Sequence, residues 1–195
     1  ENKKSYCRDF CVFFPSYNRG FSNNFSLQLG AFVVPGMSFD DVPVVLSGKF
    51  SFPEYKSKKF FNASFASGLM YVRLPEFGED SFGFGIAFGT MTLGDKFNHL
   101  STSIGFGYST TGADWEFQEK PIYNLSGNFR FSNSIAFVGE SWIFPEGDLD
   151  DQLFALSLRF IGRKFAVDLG GLMTLSMLDE SVIPISIINF TYHTD

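Results

Sequence analysis

Few residues of this chain have the type and spacing to do chemistry. His99 and Ser101 lie two apart, with Ser103 two further on. On an extended strand such positions project to one side, so the His99 imidazole could take a proton from a serine hydroxyl and make it a nucleophile. Asp148, Asp150 and Asp151 offer clustered carboxylates of the kind that bind Ca²⁺ or Mg²⁺. They lack the glycine and closing glutamate of an EF-hand loop, and solvated loop charge is the competing reading. Cys7 and Cys11 would stand about 13 Å apart on a straight strand, beyond the reach of a disulfide. Free thiols are therefore expected, unless the first segment is bent. Neither cysteine has metal-site spacing with a histidine. The run Gly83-Phe84-Gly85-Ile86-Ala87-Phe88-Gly89 is not a dinucleotide fingerprint, because no helix follows it. No cofactor is expected. The glycosylation-like triplets at Asn24, Asn62, Asn124 and Asn189 fall in or beside strands and read as chance.

The elements that must position these residues have a period of two. Leu100, Thr102, Ile104, Phe106 and Tyr108 alternate with His99, Ser101, Ser103, Gly105 and Gly107. Phe25 to Val33, Tyr123 to Phe131 and Phe154 to Phe160 alternate in the same way. Such alternation marks strands with one apolar face and one polar or small-residue face. Eleven strands are expected, over 6–21, 25–34, 43–53, 60–74, 82–93, 99–109, 121–131, 135–144, 153–161, 165–174 and 182–193. Short connections (Ser22 to Asn24, Pro53 to Lys59, Gly94 to Asn98, Ser132-Asn133, Gly162 to Lys164) alternate with longer ones. The short set carries Lys56, Lys58, Lys59, Lys96, Arg163 and Lys164. The longer set is almost wholly acidic, from Asp40 and Asp41 through Glu79, Asp114 and Glu146 to Glu180.

Charged residues make up 18% of the 195, below the average of about 25% for soluble domains. Phenylalanine occurs 27 times, more than a soluble core of this size can usefully hide. No run of about 20 apolar residues exists to form a membrane helix. The start, Glu1 to Lys4, lacks the pattern of a secretion signal and reads as the start of a mature chain or a fragment. Net charge of −6 argues against a nucleic-acid partner. Together these features point to an all-β, antiparallel transmembrane β-barrel in a bacterial outer membrane, one domain over residues 1–195, in contact with lipid and lipopolysaccharide. Short turns would be periplasmic and the acidic loops extracellular. Aromatics near the turns (Phe21, Phe25, Phe52, Tyr55, Phe60, Phe61, Phe129, Phe131, Phe165, Phe190, Tyr192) and near the loops (Tyr71, Phe82, Tyr108, Trp142, Phe144) would form two interfacial girdles. Parity then asks for about twelve strands, the first missing from or borrowed by this chain, because an open edge in lipid is costly. A miscounted ten-stranded barrel is the alternative.

In that frame Lys49, Arg130, Glu140, Arg159 and Asp168 face inward and form a polar network in the lumen. The network would either select ions or, with Phe32, Val45, Met70 and Val138, plug a narrow interior. The glycines of 83–89 would line the lumen or thin the wall.

The stretch Gly85 to Pro145, with GIAFGTMTLGDKFNHLSTSIGFGY and KPIYNLSGNFRFSNSIAFVGESWIFP, resembles a poorly characterised family of Bacteroidota outer-membrane barrels. Gly85, Ala87, Gly89, Thr92, Gly94, Asn98, Leu100, Gly105, Gly107, Tyr108, Pro121, Ser126, Gly127, Glu140, Trp142, Phe144 and Pro145 carry the match; His99, Lys120 and Ser141 depart from it. The resemblance implies fold and location rather than an activity. Some such barrels are accessory subunits of larger outer-membrane machines, so other outer-membrane proteins are expected partners. A non-enzymatic structural or accessory subunit is the first expectation and a narrow passive pore the second. A lipid-modifying enzyme is the third, disfavoured because His99 would face inward near the periplasmic rim, away from the outer leaflet that holds lipid A.

Overall fold

The computed structural model describes residues 4–9, 15–33, 38, 41–53, 55–56, 62–74, 82–112, 114–145, 147–148, 150, 152–179 and 185–194. Fourteen strands join one antiparallel sheet. In chain order they are β1 (Lys4–Asp9), β2 (Ser16–Gly20), β3 (Phe25–Ala31), β4 (Val44–Ser51), β5 (Tyr55–Lys56), β6 (Asn62–Arg73), β7 (Phe82–Gly94), β8 (His99–Thr111), β9 (Asp114–Phe117), β10 (Ile122–Arg130), β11 (Ile135–Ile143), β12 (Leu153–Ile161), β13 (Phe165–Thr174) and β14 (Ile185–Thr194). One short helix, α1 (Leu175–Asp179), precedes β14. Two of the strands, β5 and β9, are small additions to β6 and β8. The other twelve pair in the order β1-β2-β3-β4-β6-β7-β8-β10-β11-β12-β13-β14. In addition β1 stands in register with β14, from Lys4 opposite Thr194 to Asp9 opposite Asn189.

The alternation places nearly every strand where the sequence puts it. The exception is 6–21, expected as one strand and found as two, β1 and β2, which pair antiparallel through Ser5 opposite Asn18 and Cys7 opposite Ser16. Pro15, just before β2, has no N–H to give a ladder, which ends any continuous strand there. With β1 and β2 separate, the chain itself holds twelve principal strands where eleven were expected. The straight-strand separation of Cys7 and Cys11 also lapses, since β1 ends at Asp9; Cys11 lies outside the described residues. Three smaller differences are β5, β9 and α1, found where connections are expected.

Register carries one face unbroken from strand to strand. Leu29 opposes Leu46, Leu46 opposes Tyr71, and Phe50 opposes Phe25. Ile104 opposes Tyr123, Phe137 opposes Leu158, and Leu158 opposes Leu169. This apolar face is open: Leu29 is 54% exposed, Leu46 51% and Leu69 50%. The other face holds Ser47, Ser101, Ser103, Asn124, Ser126, Ser157 and Asp168. Among the described residues no large side chain is fully buried, so a conventional apolar core does not hold this sheet together. Its twelve ladders do.

Turns at one end are tied by their own side chains. Ser22 Oγ accepts from the N–H of Asn24 at 3.2 Å and of Phe25 at 3.1 Å. Ser132 repeats the arrangement with Ser134 and Ile135 at the same distances. Between β7 and β8, Gly94 has φ +124°, and a Cβ there would fall 2.2 Å from the Asn98 carbonyl oxygen. Only glycine fits. Asp95 Oδ1 then accepts from Phe97 N at 2.7 Å and Asn98 N at 2.8 Å. The Asn98 and Phe97 amides hold the exposed Asp95 carboxyl below its usual value of 3.8. A lowered carboxylate pKa adds stability that is full above the unfolded value and is lost as pH falls through the folded one. We predict that the amide shifts of Phe97 and Asn98 titrate together with a midpoint below 3.8 and that Asp95→Asn abolishes the titration. A midpoint at or above 3.8 would contradict the assignment.

Candidate functional site

The residues singled out from the sequence fall on the polar face and its rim, in separate groups. Arg159 and Asp168 stand directly opposite each other on β12 and β13. Two parallel bonds join them, Nε to Oδ1 at 2.7 Å and Nη2 to Oδ2 at 2.8 Å. Asn189 on β14 donates to Asp168 Oδ2 at 3.2 Å. Asp168 is only 6% exposed, so its carboxylate relies on these donors in place of water.

Glu140 forms a second group, accepting from Asn124 Nδ2 at 2.9 Å. Arg130 belongs to neither. At the end of β10 it donates to the carbonyls of Ser132 and Asn133 and lies 4.9 Å from the Phe97 ring centre. Its backbone N–H donates to Asn98 Oδ1 at 2.8 Å, which ties the β7–β8 turn to β10. Lys49 is exposed on β4, opposite Ser26 and Gly68. The five residues therefore do not form one network: two charges pair across a ladder, one is held by an amide, and two lie elsewhere.

The candidate nucleophile–base pair, already disfavoured on position, does not assemble. The His99 ring contacts the Asp95 carbonyl through Nδ1 at 3.1 Å. Ser101 Oγ instead bonds Thr92 Oγ1 at 2.8 Å, and Ser103 Oγ bonds Thr90 Oγ1 at 2.9 Å. This hydroxyl ladder between β7 and β8 gives both serines a threonine partner rather than His99. In the acidic loop, Asp148 and Asp150 are exposed and Asp151 lies outside the described residues. Among the described residues no three His, Cys, Asp or Glu converge as a metal site.

What organises that loop is Gln152, which the sequence does not flag. It is 3% exposed. Its Oε1 accepts from Phe144 N at 2.7 Å, and its Nε2 donates to Asp148 O at 2.8 Å and Gly147 O at 3.1 Å. Asn124 and Asn189 were also missed as partners. Both follow from register, which sets Asn124 beside Ser103 and Asn189 beside Asp168.

Register also sorts the aromatics. Phe25, Phe129, Phe165, Phe190 and Tyr192 share the apolar face, as a girdle requires; Phe60 and Phe61 lie outside the described residues. At the loop end, Tyr71 and Tyr108 are on that face, with ring centres 6.3 Å apart, and Trp115 stacks on Tyr108 at 5.4 Å. Tyr108 Oη donates to Met70 O at 3.0 Å. Their rings lie over Gly83 and Gly85, where a Cβ would strike them, so these glycines leave the rings room against the sheet. Trp142 and Phe82, however, are on the opposite face, since Trp142 opposes Asn124 and Phe84 opposes Val72. They cannot belong to a girdle on the apolar face.

In comparisons with known proteins, no family model matches the chain and no curated protein is similar to it.

Removing one partner of a shielded ion pair strands the other charge, whereas replacing both by apolar groups is far less costly. We predict that Arg159→Met lowers unfolding stability by about 2–4 kcal/mol, with Arg159 discounted for its partial exposure. Arg159→Met with Asp168→Leu should cost less than Arg159→Met alone in urea unfolding. An additive double variant would show that the pair is not coupled.

Proposed function

We propose that this sheet closes through β1 and β14 into a twelve-stranded barrel spanning a bacterial outer membrane, and that it serves as a non-enzymatic structural or accessory subunit of a larger outer-membrane assembly. The observation that carries this reading is the continuous exposed apolar face. Its parity persists through every ladder and meets itself at β14 and β1, where Tyr192 opposes Tyr6 and Tyr6 opposes Tyr17. In water such a face would drive association; against lipid it is the expected exterior. Pairing β1 with β14 would remove the free edges that hydrocarbon does not tolerate. The aromatic stack of Tyr71, Tyr108 and Trp115 suits one interface, and Phe165 with Phe190, ring centres 6.1 Å apart, suits the other.

The accessory role rests on what fills the interior. The Thr92–Ser101 and Thr90–Ser103 pairs, the Asn124–Glu140 bond and the Arg159–Asp168–Asn189 group are mutually satisfied, which favours a static polar filling over a reactive site. A narrow passive pore is the second reading, favoured by the small residues of the same face, such as Gly30, Ser47, Gly105, Ser157 and Gly170. We predict that mild-detergent extraction from native membranes yields this chain in a particle much larger than its 21.9 kDa mass, with little single-channel conductance when purified. Extraction as a lone small particle that conducts would replace the accessory role with the pore.

A further inference from the structure

One part of the polar face is not polar. Toward the loop end, the same side of the sheet that carries Ser101, Ser103 and Asn124 also carries Met70, Phe84, Ile86, Ile122 and Trp142. These surround a hollow of about 440 Å³. A smaller hollow of about 140 Å³ shares Met70, Ile86, Ile122 and Trp142 with it and adds Thr90, Ser103 and Asn124.

Six adjacent strands build the site, β6, β7, β8, β10, β11 and, through Leu153, β12. Its floor is β8, where Gly105 faces Ile122 and Gly107 faces Ile86. A Cβ on Gly105 would fall 2.6 Å from Ile86 Cδ1, and one on Gly107 would fall 2.4 Å from Gln118 Oε1. The two glycines therefore let Ile86 and Gln118 lie across the strand, with Met70 and Ile86 on one wall and Ile122 and Trp142 on the other. On the opposite side of β7 the residues are Gly83, Gly85, Ala87 and Gly89. That strand thus turns its bulk to the polar side, where a structural strand of a lipid-facing wall would do the reverse.

We propose that this hollow binds a small hydrophobic molecule with an uncharged or cationic hydrogen-donating head, the tail against Met70, Ile86, Ile122 and Trp142 and the head toward Asn124. Its size lies in the range of small-molecule pockets, which are mostly apolar with a few placed polar groups. The polar end selects the head. Asn124 Nδ2 already donates to Glu140, and the Thr90 and Ser103 hydroxyls bond each other. The second Asn124 N–H and one hydroxyl hydrogen remain, beside free acceptor sites, so an alcohol or amine can bond there, and the negative Glu140 carboxylate behind Asn124 disfavours a carboxylate head. The site rests on local strand register and stands apart from the accessory role.

The chain has two tryptophans, so Trp115→Phe leaves Trp142 as the sole reporter. In nanodiscs, ω-bromodecanol should quench Trp142 saturably, while ω-bromodecanoate quenches it weakly. Ile122→Arg and Met70→Lys, on facing walls, should each weaken bromodecanol binding about tenfold or more by burying charge beside the tail. Glu140→Gln should bring bromodecanoate closer to bromodecanol. Non-saturable quenching that is equal in the parent and both wall variants would overturn the site, as would equal binding of alcohol and carboxylate in the parent. Brominated phospholipid separates this outcome from failure of the barrel: it should leave Trp142 unquenched if that face is interior, and quench it if the face meets lipid.

Discussion

Strand register is the constraint on which the rest of this structure depends. In a sheet with a side-chain period of two, slipping any ladder by one residue would move Leu29, Leu46, Phe106 or Leu158 from one face to the other. Eleven consecutive ladders keep those residues on one side. The β14–β1 ladder keeps the same parity, with Tyr192 and Phe190 opposite Tyr6 and Arg8. Because no large side chain is fully buried among the described residues, hydrogen-bonded pairing and the contrast between faces, rather than an interior apolar core, define the fold.

Local features guard that register. Ser22 and Ser132 fasten two turns in the same way, while Gly94, Asp95 and His99 fasten a third. Across the sheet, the bidentate Arg159–Asp168 contact is satisfied only when those two residues stand opposite each other, so a slip of β12 against β13 would strand a shielded carboxylate. Asn124 with Glu140, and Thr92 with Ser101, act likewise on their own ladders. The polar face thus does for pairing what interlocking hydrophobic side chains do in a soluble core.

Much of this was legible in the amino-acid order, because the alternation of Leu100 to Tyr108 or Phe154 to Phe160 is written directly in residue types. The turns were legible too, from Ser-Asn runs and Gly94-Asp95. Facing relations were less accessible. Whether Phe84, Ile86 and Phe88 or the intervening Gly85 and Ala87 meet the apolar face depends on how β7 registers with β6, and both choices alternate equally well. Trp142 was misassigned for the same reason: an aromatic near a strand end suits an interface until its partner, Asn124, fixes its side. The division of 6–21 into β1 and β2 was hidden by aromatics scattered through the segment, from Tyr6 to Phe21, with Pro15 the one local sign. Of the five polar residues grouped from sequence, Arg159 and Asp168 could be paired because a short hairpin joins their strands. Arg130 and Glu140 could not, since their partners come from backbone carbonyls and from an asparagine on a neighbouring strand.

The central claim, that one face of this sheet meets lipid and the other does not, is tested most directly by scanning spin labels along β8. In a background with Cys7 and Cys11 replaced by serine, single cysteines would be placed from Leu100 to Phe106 and labelled with nitroxide in bilayers. Labels at Leu100, Thr102, Ile104 and Phe106 should collide readily with oxygen and be shielded from a water-soluble nickel reagent. Labels at Ser101 and Ser103 should show low oxygen contact. Loss of that two-residue alternation, or nickel access to Leu100, Ile104 and Phe106, would contradict the account.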